Sequence, residues 1–594
     1  MRFLLKYPPG IVTDDTTLAK GGRYVDASMV RFVRGQPETV NGWERVFRTS
    51  LDGVCRNSLT WIDNAGRVNL AFGTHTKLYV WRGGQLIDIT PTLARPSQIL
   101  GTDPLSVTNG DATVTVEMPG HGFADGDLIT VTGAAAVGGI TPNRASTAVT
   151  VIDADSFSYE FTSTASSTAT GGGSAVVIQP LEAFAAGQIN GTGGSGYGTG
   201  AYGVGQYGQP STADYFPRTW SLTTLGQALV ASPRGGAIYI WDNDSSADAL
   251  PIANSPRQCT AVIVTPERAV MALGCNEEVS GTFNPRVIRH SSLTDETVWS
   301  TTAAQSTANE ITLQSEGRIV SGRMAGYAAL VWTDNEVIQL SYVGALDETY
   351  RPDALGSDCG LMGPNACAVQ GQRAFWLSPD VRLWTVALGG QPASIESPMR
   401  DELEENLVPN QRDKVILSTL NGYSELWMFY PDVRDGLENS RYQCMSITDG
   451  WWSKGILTRT AFIDAGPSAY PLGVDVSGNV FWHEKGTTAD GGAISGHLEA
   501  GPQYLDGTER LVLLREFIPD FKSLVGGLEL TLKTWEEPQA PVIEWGPYYI
   551  TANTQAVQLK SLGRLMGWRI EFNSAPASWR LGTPVAEGRD AGKR

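Results

Sequence analysis

The sequence predicts an all-β chain: a β-propeller of about six to seven blades, with an inserted small β module and a C-terminal β-sandwich-like domain. Three observations predict it. A unit of strand, tight polar turn and second strand recurs along the chain. Helical signals are scarce. The composition, with 67 Gly, 17 Trp, 19 Tyr and 17 Phe, is that of turn-rich, aromatic-rich stacked sheets. At 594 residues the chain is too long for one small domain, so several domains or a repeat must organise it.

The repeat is read from its copies. They are Asn69 to Trp81 (NLAFGTHTKLYVW), Ala228 to Trp241, Ala269 to His290 with a longer turn, Ala328 to Val343, Ala374 to Val386 (AFWLSPDVRLWTV), Ser424 to Trp452 with a long turn, and Pro471 to Trp482. From the second copy onward the spacing is roughly 43 to 55 residues, in the range of four-stranded blades. One such sheet cannot bury both faces alone, so neighbouring blades stack and aromatic side chains fill the space between them. Trp81, Trp241, Trp332, Trp384, Trp427 and Trp482 are therefore read as blade core. One helix is expected, Ser397 to Leu407, with Ser397 at the cap, Pro398 in the first turn and acidic residues early.

The interval from Trp81 to Trp241 exceeds one blade and must hold an insertion. Its first part has a strand pattern of its own between about Asp103 and Ile178. Its second, Gly191 to Gly208 (GTGGSGYGTGAYGVGQYG), is a low-complexity loop with Tyr197, Tyr202 and Tyr207 at five-residue spacing. These tyrosines are the candidate contacts to a neighbouring subunit or partner, each offering an apolar ring and a hydroxyl; a solvated linker is the competing reading. The expected organisation is an N-terminal arm and first blade (1–96), the inserted module (97–180), the Gly/Tyr-rich loop (181–212), the remaining blades (213–488) and the C-terminal β domain (489–594).

Composition also narrows function. Lys and Arg number 44 against 62 Asp and Glu, a formal charge of −18, which argues against a protein that grips phosphate backbones. Six cysteines without a CxxC spacing read as buried thiols. Five scattered histidines (His75, His121, His290, His483, His497) form no metal-ligand spacing. No phosphate loop, dinucleotide fingerprint or nucleophile elbow occurs. Asp242-Asn243-Asp244-Ser245 reads as a turn rather than a calcium loop. Val474 to Trp482 (VDVSGNVFW) has a faint likeness to the Asp-box turn of sialidase propellers, and Asp401, Glu402, Glu404 and Glu405 read as a solvated helix face. The expectation is a non-enzyme with no cofactor and no metal. The N-terminus lacks the apolar core of a signal peptide, so synthesis in a cytoplasm without export is expected. No apolar run is long enough for a membrane-spanning helix.

Pro9 to Val46 contains a PGI opening, the strand GRYVDASMVRF and an NGW turn. This stretch resembles the start of bacteriophage tail proteins in which these features precede a run of blades. Tyr327 to Pro364 followed by Arg373 to Trp384 resembles the blades of short-tailed phage (podovirus) nozzle proteins, including the packaged-DNA stabilisation proteins. Pro119 to Gly133 (PGHGFADGDLITVTG) with Asp153 to Phe157 is similar to a small β module of phage tail proteins and of ubiquitin-activating enzymes, whose cysteine chemistry cannot carry over because the segment has no Cys. His121 there reads as a turn residue.

The resemblance implies a virion structural protein: a homo-hexameric ring at the distal end of the tail tube that retains packaged genome and conducts DNA during ejection. It would be made in the host bacterial cytoplasm and would contact the head-to-tail adaptor, tail fibres or spikes, and double-stranded DNA in transit. Acidic walls would let DNA slide. The alternatives are a receptor- or glycan-binding tail-tip propeller and a propeller glycosidase.

Overall fold

A computed structural model describes residues 1–592 apart from 17–18, 20, 95–96, 183, 193–215, 305, 346–347 and 506–509. Seven four-stranded antiparallel sheets follow one another in the repeat region. Blade I spans Cys55–Ile62 to Gln85–Asp88, blade II Trp220–Leu225 to Leu250–Pro251, and blade III Cys259–Val264 to Asn309–Thr312. Blade IV runs from Ile319–Ala325 to Tyr350–Ser357, blade V from Cys367–Gln370 to Ala393–Ile395, and blade VI from Ile416–Leu420 to Trp452–Ile456. Blade VII takes three strands from Ala461–Ile463, Leu472–Val474 and Val480–His483, and its fourth from Trp43–Arg45. The first strand of each blade packs beside those of its two neighbours, and that of blade VII beside that of blade I, so the ring closes. The propeller therefore has seven blades.

The closure depends on the NGW turn. His483 pairs with Trp43 and Trp482 with Glu44 in register, and the Gly42 and Trp43 amides donate to Gly486 and Thr488 carbonyls at 2.8 and 3.0 Å. A Cβ on Gly42 would lie 2.2 Å from the Thr488 carbonyl oxygen, so the chain can approach only without a side chain there. Of the tryptophans read as blade core, Trp241, Trp332 and Trp427 are fully buried, and Trp81, Trp384 and Trp482 half-buried. Trp332 and Trp376 meet at 5.8 Å between adjacent blades.

The N-terminal residues are not a free arm. Arg2–Leu4 pairs with Val585–Asp590, Tyr24–Ser28 with Ile494–Tyr504, and Gln36–Thr39 with Ser578–Leu581. Three sheets result, so the C-terminal β domain includes the chain's beginning. Its widest sheet orders Tyr24–Ser28, Ile494–Tyr504, Leu565–Ser574, Leu528–Trp535 and Ile543–Ile550. Strict alternation along these strands buries Leu498, Ile570, Leu530 and Phe572 on one face and turns His497, Glu571 and Glu529 to the other.

The inserted module is a separate compact unit of residues 88–186 and 244–250, wider than the expected 97–180. Val114, Val116, Ile129, Val131, Phe157 and Ile178 form its core. His121 organises a turn: its Nδ1 accepts the Phe123 amide at 3.0 Å, and its ring stacks on Phe123. The helix is shorter than expected, Arg400–Asn406. Ser397 Oγ accepts the Met399 amide at 3.2 Å rather than capping the helix, because Met399 occupies the cap position. Glu402 is not a solvated residue; it pairs with Lys454 at 2.9 Å.

Candidate functional site

Tyr197, Tyr202 and Tyr207 lie outside the described residues. The residues flanking that segment are placed. The Gly187 amide donates to the His75 carbonyl of blade I at 2.7 Å, and the Arg218 amide to the Gln188 carbonyl at 2.8 Å. Gly191 and Gln411 exchange two hydrogen bonds, amide to Oε1 and Nε2 to carbonyl, at 3.1 and 3.0 Å. Departure and return of the segment are thus tied together beside blades I and VI.

Here the flank meets a buried ionic cluster. Arg56, at the start of blade I, forks onto Glu438 of blade VI, with Nη2 to Oε1 at 2.7 Å, and also donates to the Ile189 carbonyl at 3.0 Å. Lys414 Nζ donates to Glu438 Oε1, Asn190 Oδ1 and the Leu437 carbonyl at 2.7, 2.7 and 2.8 Å, so all three of its protons are used. Burial, assisted by Arg56 and opposed by Glu438, pushes the Lys414 ammonium down to about 8. Burial would raise the Glu438 carboxyl, but Arg56 and Lys414 outweigh it and hold the group below its usual value.

The same residues span the ring. Asn365, in the connection between blades IV and V, donates from Nδ2 to the Arg56 carbonyl at 2.9 Å and accepts from Arg323 of blade IV at 3.1 Å. Blades I and IV are not neighbours in a ring of seven, so these bonds cross the propeller's middle. That end of the central opening is bridged by side chains and by the 187–191 segment.

A second concentration of polar groups lines a groove of about 1170 Å³ between blade VII and the polar face of the widest C-terminal sheet. Register sets two rows across that face. One row reads Ser28, His497, Glu571, Glu529, Tyr549, and the next Asp26, Glu499, Arg569, Thr531. The second row is internally neutralised. Arg569 Nη1 is 3.0 Å from Glu499, and Asp26 lies 3.1 Å from Lys454 and 2.9 Å from His497. Burial would raise Asp26, but His497 and Lys454 reverse this and hold it well below the carboxylate range.

The opposite wall comes from blade VII. Arg459 is 4% exposed with no carboxylate partner within ion-pair distance among the described residues. Its Nε donates to His483 Nε2 at 2.7 Å and its Nη1 to the Thr458 carbonyl at 2.6 Å, while Nη2 has no hydrogen-bond partner among the described residues. Its guanidinium lies over Trp43 and Phe481 at 5.2 and 4.9 Å. Burial, only partly opposed by Asp475, lowers it to about 10. Burial and Arg459 together hold His483 neutral, which makes Nε2 the acceptor.

The VDVSGNVFW turn adjoins this wall. Asp475 accepts from the amides of Ser477 and Asn479 and from Asn479 Nδ2, each at 2.9 Å. Asp63 of blade I makes the same kind of turn, accepting from the Ala65 and Arg67 amides at 2.9 Å. Both aspartates organise turns with their oxygens, which explains the likeness without chemistry. Asn243 likewise serves a turn: at φ 68° its carbonyl accepts from Arg82 at 2.8 Å and its amide donates to Asp63 at 3.1 Å. No cluster of three His, Cys, Asp or Glu side chains suited to a metal occurs among the described residues. Sequence reading did not find the groove, because its rows exist only once strands distant in sequence are paired.

No family model matches the chain. No curated protein matches it. Among solved structures it is similar to an endosialidase of phage phi92, at 9% identity and TM-score 0.18 over 68% of this chain and 53% of that one. The chain thus spans about half the length of that protein. It is also similar to a catalytically inactive virginiamycin B lyase from Staphylococcus aureus crystallised with quinupristin, at 9% identity and TM-score 0.28, over 47% of this chain and 91% of that one. A third similarity is to the AfRom2 CNH domain, at 12% identity and TM-score 0.27, covering 48% and 86% of the two chains.

Proposed function

We propose that this chain is a structural component of a short-tailed phage tail, the ring-forming nozzle at the distal end of the tail tube, acting without catalysis or cofactor. The observation that carries the reading concerns the residues of the N-terminal resemblance. Asp26 joins Lys454 of blade VI to His497 of the C-terminal domain. Arg31 forks onto Glu484, Asn41 bridges Tyr423 and Glu484, and Trp43 completes blade VII. Asp26 and Arg31 fasten the C-terminal β domain to the propeller, and Asn41 and Trp43 seat the connecting strand on it, which suits a rigid ring segment under the pressure of packaged DNA. Because the propeller is bridged at its axis, the reading places the DNA path between copies rather than through one. A formal charge of −18 per copy gives such a path little attraction for phosphate.

The test is native mass and negative-stain imaging of the purified protein with and without tail adaptor rings. Six-fold rings that dock on the adaptor are expected. A monomer indifferent to the adaptor overturns the reading.

A further inference from the structure

We infer that the groove between blade VII and the five-stranded C-terminal sheet is a binding site for a neutral saccharide. The inference is independent of ring formation. The charges that hold the joint together are already paired within the protein, as Asp26 with Lys454 and Arg569 with Glu499. One carboxylate of the lining is left over. Among the described residues Glu529 has no ion pair or side-chain hydrogen bond, although it stands directly opposite Glu571, which Arg569 pairs at 2.7 Å. Like charges so placed weaken a sheet, so stability does not account for Glu529. Two residues of the lining, Ser574 and Arg459, carry buried atoms, Oγ and Nη2, without a hydrogen-bond partner among the described residues, and buried polar groups ordinarily have one.

The signs of these groups decide the ligand. An anion would meet Asp475, Glu529 and Glu571; a cationic peptide would meet Arg459 and Arg569. A polyol meets neither penalty, because each hydroxyl both donates to carboxylates and accepts from guanidinium groups. Tyr549 stands next to Glu529 in the same row with 71% of its surface exposed. Its ring offers an apolar platform of the kind that covers the C–H face of a pyranose, while the surrounding polar groups fix orientation.

The experiment uses the full chain with maltohexaose, mannohexaose and chitohexaose as neutral probes, trigalacturonate as an acidic probe and tetralysine as a basic one, read by saturation-transfer NMR and calorimetry. At least one neutral probe is expected to bind. Tyr549→Ala and Glu529→Ala are each expected to weaken that binding about tenfold, the loss of roughly one good contact. Neither variant removes a hydrogen bond or ion pair seen among the described residues, so neither should lower the melting temperature, and Glu529→Ala, which relieves the repulsion from Glu571, should raise it slightly. Absence of neutral binding at millimolar concentration, undiminished binding in both variants, or tighter binding of the acidic or basic probe overturns the inference.

Discussion

Arg31 and Glu484 form a two-pronged ion pair, Nη1 to Oε2 at 2.8 Å and Nη2 to Oε1 at 2.6 Å, between residues 453 positions apart. Both are almost wholly buried, and Glu425 approaches the same guanidinium at 3.2 Å. Tyr423 covers it at 3.9 Å. Burial pushes the Glu425 carboxyl upward, and Arg31 only partly restrains it.

Removing one member of such a group leaves a buried charge short of its partner. Glu484→Gln is expected to cost about 3–5 kcal/mol. A lowered urea midpoint measures it, and a midpoint equal to the parent protein's would show that the pair contributes nothing.

Ring closure gives the second prediction. Gly42→Ala sets a methyl group against the Thr488 carbonyl, where the Cβ would lie at 2.2 Å. Overpacking of this kind costs about 1–3 kcal/mol. Hydrogen exchange should rise in Trp43–Arg45 and Val480–His483 before it rises in blades II to V.

The propeller's period is legible from sequence because each blade repeats strand, turn and aromatic strand locally. The pairing of Gln36–Thr39 with Ser578–Leu581 is not, since no local pattern joins residues 542 apart such as Glu38 and Arg580. The aspartate turns and the buried tryptophans were visible as residue types. The groove was not: Ser495, Asn573 and Glu529 are ordinary solvent-face residues of alternating strands until topology sets them side by side.

Stability should depend on pH through two buried histidines. Burial holds His290 below its ordinary value; burial and Arg459 do the same for His483. Both stay neutral in the fold while the unfolded chain takes up protons. Their stabilisation is therefore full above about pH 6.5 and is lost as pH falls below that value towards the depressed folded ones, at about 1.4 kcal/mol per pH unit for each histidine. His483→Gln, whose carbonyl can still accept from Arg459, should flatten the slope of unfolding free energy between pH 6.5 and 5.

The thiols give a fourth prediction. All six cysteines are free and buried, and burial raises Cys55 and Cys259 to about 12. Thiolate is the reacting form. An aromatic disulfide reagent at pH 8 should therefore find none of the six in the native protein and all six in guanidinium chloride. Rapid reaction of a native thiol would mean that a blade opens readily.

Because blade VII borrows Trp43–Arg45, the order of synthesis matters. The strand that closes the ring leaves the ribosome long before its partner Val480–His483, which arrives last among the blades, and the mates of Gln36–Thr39 arrive later still. At ~5–20 residues per second, a separation of 542 residues amounts to roughly half a minute to two minutes. For that time the strands at residues 24–45 carry unpaired edges, so ribosome-stalled intermediates should bind trigger-type chaperones there until Ser578–Leu581 has emerged.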